Sequence, residues 1–133
     1  MVVFCADNDP LKNPGLDAVA DALNAALRGR FGGHDARVSP VNIADARAVV
    51  EECNTPGATT RCWNALAQLN HAAKVVVPDL STERSRVSVV LTVYDAASDR
   101  VERTSQRTFA SAAEAQSGVA ELVAQIAAPG SGG

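Results

Sequence analysis

Three cysteines are the residues best suited to chemistry in this chain, and two of them lie close together in the sequence. Cys53 falls at the end of one predicted helix and Cys62 in the first turns of the next, with Pro56 and Gly57 turning the chain between them. A bond between the two sulfurs would restrict the unfolded chain by about 2.5–3 kcal/mol. We therefore expect a Cys53–Cys62 disulfide. The alternative is two small buried thiols in a reducing compartment.

A metal centre and a thiol nucleophile are the other chemistries that these residues allow. Zinc sites commonly use four ligands in paired short spacings, and His34 and His71 are not spaced to complete such a set. Cys5 ends the first predicted strand, and one of the two histidines would have to act as its base. No cationic group or helix N-terminus close to it in sequence favours the thiolate. We expect Cys5 to be a core residue, and we predict no metal, no cofactor and no catalytic residue.

Acidic residues and glycines form two further motifs. Ligands of open α/β sheets gather beyond the carboxyl ends of the strands, so Asp7 and Asp9 are candidates for contacting a partner or a cation. Without the spacing of a calcium loop, however, this pattern favours a solvated loop. Gly29 and residues 32–33 follow a predicted helix rather than precede one, which indicates a C-cap and turn instead of a phosphate-binding loop.

The remaining candidates are residue types that bind proteins. Trp63, the only tryptophan, is expected to pack over the junction of two helices. Exposure at a partner surface is the alternative, because tryptophan is enriched in binding hot spots. Arg103, Gln106 and Arg107 lie on a predicted outer strand, whose edge can accept a partner strand. Charges on such an edge also guard against aggregation, and the sequence supports both roles.

Composition and charge narrow the class of protein. The 133-residue chain is 47% hydrophobic and 20% charged, as is typical of one folded domain. Its net charge of -3, with acidic and basic residues interspersed, disfavours nucleic-acid binding. No apolar run approaches the roughly 20 residues that span a bilayer, and the first residues lack the features of a signal peptide. We expect a cytoplasmic protein if the chain is complete as written, and a periplasmic or otherwise extracytoplasmic one if a leader was removed.

Hydrophobic periodicity and turn residues predict the secondary structure. The predicted elements are, in order, a strand over 1–5, a helix from Asn13-Pro14 to Gly29, a strand over 36–41 that ends at Pro40, a helix over 42–53, a helix from Thr59 or Thr60 to Leu69, a strand over 73–77 closed by Pro78-Asp79, strands over 86–94 and 100–109, and a helix that begins with the capping box Ser111 to Glu114. Val49 and Leu69 are expected on inner helix faces.

The order β-α-β-α-α-β-β-β-α predicts an α/β (α+β) fold with a mixed sheet. The crossover helices of the first half imply parallel pairing, and the short turns of the second half imply an antiparallel meander. We expect the helices mainly on one face of the sheet, with the polar face of the meander left to solvent or a partner. Residues 1–127 form one domain, and residues 128–133 read as a flexible Gly/Ser tail or linker, natural or engineered.

Three stretches make the chain resemble the amino-terminal domain of TolB and its relatives in envelope lipoproteins such as CsgG and FlgO. These are the helix from Leu16 to Leu27, the segment Arg61 to Leu69 before the strand Ala73 to Val77, and the meander Ser88 to Val101. The chain departs from the family where Pro78-Asp79 and Asp99 stand in place of glycines.

The resemblance implies a non-enzymatic recognition or assembly domain, often extracytoplasmic, with no catalytic residue to carry over. We therefore expect a protein-binding or assembly module, in a bacterial cell envelope on this resemblance, that acts through an exposed sheet edge or face. Its partner is another protein, a second copy of the chain included. The alternative function is a small enzyme with its site at Cys5 or at Asp7 and Asp9, near the end of the first strand.

Overall fold

Five strands, four α-helices and a 3₁₀ helix make up the structure, a computed structural model that describes residues 1–6, 15–31, 36–54, 57 and 59–127. The elements are, in order, β1 (Val2–Cys5), α1 (Asp17–Phe31), β2 (Arg37–Asn42), α2 (Ile43–Ala48), the 3₁₀ helix Glu51–Asn54, α3 (Thr59–Leu69), β3 (Lys74–Glu83), β4 (Arg86–Asp95), β5 (Arg100–Phe109) and α4 (Ala112–Ala127). The predicted order of strands and α-helices is confirmed.

The strands form one mixed sheet in the order β2-β1-β3-β4-β5. β1 lies between β2 and β3 and is parallel to both. β3, β4 and β5 form an antiparallel meander. The α/β class and the mixed sheet are therefore as predicted, because helical crossovers join the parallel strands and short turns join the antiparallel ones.

Two separate apolar cores lie on opposite faces of this sheet. Val3 and Val76 belong to a first core with α1 and α4. Their neighbours Phe4 and Val75 belong to a second core with α2 and α3. The expectation that the helices lie mainly on one face of the sheet is therefore wrong. Successive residues of β1, and most of those in the first half of β3, are apolar and point to opposite faces, so both faces need a helical cover there.

The two prolines expected to end strands lie inside them. Pro40 is part of β2, an edge strand in which a missing N–H is tolerated. Pro78 is buried within β3, opposite Leu91. β1 pairs only with Val75 and Val76 of β3, so at Pro78 the strand has a ladder partner on one side only. β3 therefore continues to Glu83.

The other differences between the predicted and the observed structure lie at the ends of helices. Gly29 lies within α1, which continues to the buried Phe31 instead of ending at the glycine. Val49 and Leu69, predicted on inner faces, have 79% and 65% of their surface exposed. Val49 follows the last residue of α2 and Leu69 is the last residue of α3, where the helical period that would turn them inward stops. Val50 is buried instead.

Side chains close the ends of two elements. The Ser111 hydroxyl accepts the Glu114 N–H at 3.2 Å, so Ser111 caps α4 as predicted. The Glu114 carboxylate accepts the N–H of Ala110 at 3.2 Å, one residue before the bond that a capping box would make. At the end of β1, the Asn24 amide pairs with the Ala6 backbone: Oδ1 accepts from Ala6 N at 2.7 Å and Nδ2 donates to Ala6 O at 3.2 Å. Asn24 thereby supplies the hydrogen bonds of a strand partner and fixes α1 against β1.

Gly118 on α4 allows close packing against β5. A Cβ at this position would lie 2.9 Å from Phe109 Cζ and closer still to Cε1. The Phe109 ring is 4% exposed and belongs to the first core, so it has little room to move.

We predict that Gly118→Ala destabilises the protein, although alanine is the better helix former by about 1 kcal/mol. Displacing the buried ring costs about 1–3 kcal/mol, so the free energy of unfolding measured in urea should fall. Gly29→Ala on α1 is the matched control, because its Cβ would meet no atom within 4 Å. The control should be stabilised by about 0.5–1 kcal/mol, and an equal gain in both variants would contradict the packing argument.

Candidate functional site

The meander leaves one face of the sheet open. Alternate β4 residues such as Val89 and Leu91 lie in the first core under α1 and α4, so the residues between them point away from those helices. Across β3, β4 and β5 these opposite residues form two rows, Asp79–Val90–Gln106 and Ser81–Ser88–Thr108. We call this surface, with Thr104, the open face. Its residues are half-buried on β4 and exposed on β3 and β5.

β5 is an edge strand. It pairs with β4 over nearly its full ten-residue length, and no described strand lies on its other side. A register shift between Val93 and Tyr94 places one extra residue, Glu102, in β5. This β-bulge divides the strand, and the regular ladder runs from Arg103 to Phe109. The edge thus offers unpaired backbone N–H and C=O groups beside the open face.

Three charged side chains of β5 contact other elements: Glu102 contacts β3, and Arg103 and Arg107 contact α4. Glu102 binds Lys74 Nζ at 2.7 Å. Arg103 donates to the carbonyl oxygens of Gln125 at 3.5 Å and Ile126 at 3.2 Å, in the last turn of α4. A guanidinium there satisfies carbonyls that have no partner within the helix. Of the predicted contact residues, Arg103 therefore fixes α4, while Gln106 stands exposed on the open face.

Arg107 lies at a groove between β5 and α4. Its guanidinium is 3.4 Å from a Glu121 carboxylate oxygen and 5.0 Å from the centre of the Phe109 ring. The groove has a volume of about 580 Å³. We call it the β5–α4 groove; its lining residues are Arg107, Phe109, Ala113, Glu114, Ser117, Gly118 and Glu121.

Trp63 packs against Tyr94, with 5.8 Å between the ring centres. It is partly buried against the second core, and its Nε1 is buried with no hydrogen-bond partner among the described residues. This position agrees with the predicted packing role and removes much of the ring from any partner surface.

Tyr94, a residue not singled out from the sequence, connects α3 to the turn between β4 and β5. Its hydroxyl donates to the Asp99 carboxylate and accepts from Asn64 Nδ2 at 3.3 Å. Burial, followed by the hydrogen bond to Asp99, raises the pKa of the Tyr94 hydroxyl, which therefore stays protonated as a donor. The sequence offered one indication that Tyr94 has a structural role: it is the only tyrosine, and it alternates with the apolar residues of β4 and so lies on the opposite face.

The cysteines divide into a disulfide and a buried thiol. Cys53 and Cys62 are bonded, with their Cα atoms 4.4 Å apart, so the disulfide joins the 3₁₀ helix to α3. The Cys5 thiol is buried, donates to the Ser39 carbonyl oxygen at 3.6 Å and has Arg28 Nη2 at 4.0 Å.

The structure does not bring Cys5 and His71 together. Cys5 lies at the carboxyl end of β1 and His71 precedes the amino end of the parallel strand β3, so they occupy opposite ends of the sheet. His34, Asp7 and Asp9 lie outside the described residues. Among the described residues, no three His, Cys, Asp or Glu side chains are grouped to hold a metal ion. Nor does any helix in the described ranges have the length and apolar character needed to cross a membrane.

Comparisons with known proteins give structural similarity only. No family model and no curated protein matches the chain. A PelC dodecamer from Paraburkholderia phytofirmans is 19% identical over 96% of this chain and 84% of that one, with a TM-score of 0.47. Protein VC0702 from Vibrio cholerae is 11% identical over 94% of this chain and 74% of that one, with a TM-score of 0.35. Similarity at this level carries no functional argument, and the resemblance to the TolB amino-terminal domain stays a prediction.

We predict that Asp79→Asn stabilises the protein at neutral pH. The side chain of Asp79 is 52% exposed, and the desolvation of its covered half raises the pKa of the carboxyl group. The Arg47 guanidinium, 3.8 Å away, opposes this shift only in part. A carboxyl group whose pKa is higher in the folded state favours folding when protonated. That contribution is complete below the unfolded-state value of 3.8 and is lost as pH rises through the folded-state pKa.

Urea unfolding at a series of pH values checks this prediction. The gain from Asp79→Asn should be largest at pH 7 and should shrink toward zero below pH 3.8. Asp21→Asn, at an exposed position of α1, is the control for loss of one negative charge. An Asp79→Asn protein less stable than the wild type at pH 7 would show that the Arg47 ion pair outweighs desolvation.

We predict that replacing both Cys53 and Cys62 with serine lowers the free energy of unfolding by about 2.5–3 kcal/mol, the loop-closure contribution of a bond with this sequence separation. Titration of thiols in denaturant should find one without reductant, from Cys5, and three with it. Cys5→Ala is the control and should leave no titratable thiol before reduction. Three thiols in unreduced wild-type protein would contradict the disulfide.

Proposed function

We propose that this chain is a non-enzymatic protein-binding or assembly module, and that its partner docks on β5 and the adjoining open face. The observation that carries the proposal is the ten-residue edge strand β5, unpaired on one side within the described sheet. An extended edge of this kind is a template for pairing with another chain.

The use of the reactive side chains supports a binding role. Two of the three cysteines form the disulfide, and Cys5 is buried at the end of the sheet opposite His71. The Tyr94 hydroxyl is occupied by Asp99 and Asn64. These groups hold elements in place, whereas Ser81, Gln106 and Thr108 on the open face are exposed.

The disulfide also bears on the compartment in which the protein is located. A disulfide persists in oxidising compartments such as the bacterial periplasm, so the Cys53–Cys62 bond supports an extracytoplasmic location. The resemblance to the TolB amino-terminal domain points to the bacterial cell envelope. A second copy of this chain remains one of the protein partners that the open edge would accept.

Site-specific photo-crosslinking tests the proposed surface. We predict that p-benzoylphenylalanine at position 106, on the open face, yields a discrete covalent adduct with one protein in cells of the source organism. Gln116 is the matched control, because it is also an exposed glutamine but lies on α4 outside the groove lining. The adduct is identified by mass spectrometry. Absence of an adduct at position 106, or the same adducts at both positions, would contradict the proposal.

A further inference from the structure

The β5–α4 groove lies beside the unpaired edge of β5. Arg107 and Phe109 contribute the strand side of the groove, and α4 contributes the other side through residues from Ala113 to Glu121. A strand added to an edge hydrogen-bonds through its backbone, and alternate side chains then point to the same face of the sheet. Every second side chain of a strand added to β5 would therefore face the α4 side, where this groove is.

The floor of the groove is apolar. The apolar groups that this floor exposes belong to Ala113 and the half-buried Gly118. The Phe109 ring, which packs against Gly118 and has Arg107 beside it, is only 4% exposed. A shallow apolar floor of this size suits one small or medium apolar side chain.

The rim of the groove is acidic. Two carboxylates, Glu114 and Glu121, line the groove together with a single guanidinium, that of Arg107, and Glu114 also accepts the Ala110 N–H. The guanidinium is already engaged by Glu121 and by the Phe109 ring. Both partners of the Arg107–Glu121 pair are more than half exposed, so the pair is weak and an arriving cation can share Glu121. The surplus of negative charge favours a basic side chain.

We infer that the β5–α4 groove is a recognition site for an extended segment of a partner protein that adds as a strand to β5, places an apolar side chain against Ala113 and Gly118, and presents a lysine or arginine two residues away to Glu114 and Glu121. This inference rests on the proposed function and names the chemistry of the segment that docks. The open face then contributes area beside the added strand, and the groove determines which segments bind.

Selection from a displayed library of random decapeptides, panned on the full chain, tests the inference. Enriched peptides should share an apolar residue and a lysine or arginine at a spacing of two. Binding of the most enriched peptide, labelled with fluorescein, is then measured by fluorescence anisotropy. We predict that Glu121→Lys weakens this binding at least tenfold and that Glu121→Gln weakens it about threefold.

Glu83→Lys is the matched control, because Glu83 is an exposed carboxylate at the end of β3 and does not line the groove. It makes the same change of charge and should alter the affinity less than twofold. When the peptide binds, the changes in backbone amide chemical shifts measured by NMR should be concentrated in β5 and α4.

Three outcomes would overturn the inference: no enriched sequence, enriched peptides without the basic residue, or affinities that fall equally in Glu121→Lys and Glu83→Lys. If binding is instead lost in Gln106→Lys and retained in Glu121→Lys, the groove is not the site while the open face, and with it the proposed function, stands. A failed crosslink at position 106 together with groove-dependent peptide binding would reject the open face and keep the groove.

Discussion

The structure depends on a change in burial across the width of the sheet. β1 and the first half of β3 are apolar on both faces and must be covered on both. By contrast, β4 has a continuous apolar row on one face only, and β5 is polar apart from Val101 and Phe109. Because apolar surface drives helix packing, α1 and α4 cover the first face, and α2 and α3 cover the second only near the parallel strands. The uncovered half of the sheet follows from this pattern.

Much of this pattern could be predicted from sequence because it is local. The alternation Val87, Val89, Leu91, Val93 set the register of β4, and Ser111 with Glu114 set the start of α4. The sequence-based predictions were wrong where a neighbouring strand or helix determines the local structure. Pro78 was expected to end β3, but its effect depends on how far β1 extends alongside, which composition does not reveal. The same is true of the helices' distribution, since it depends on which strands pair.

The candidate site was less predictable for the same reason. Edge position and polarity made Gln106 and Arg107 candidates, but the groove requires Phe109 to meet Gly118 across a turn and a helix. Arg103 was expected at the surface, yet it binds carbonyls of α4, more than twenty residues away in sequence. The network of Tyr94 with Asn64 and Asp99 likewise joins segments whose proximity is fixed only by the strand register.

The β-bulge at Glu102 has a consequence for the length of segment that this edge can accommodate. An added strand keeps a regular ladder with β5 only from Arg103 to Phe109, roughly 24 Å at about 3.4 Å per residue. Beyond the bulge the hydrogen-bonding groups of the two strands fall out of step. Affinity should therefore rise with segment length up to about seven residues and level off afterwards, so that the fold selects its ligand by size as well as by side-chain chemistry.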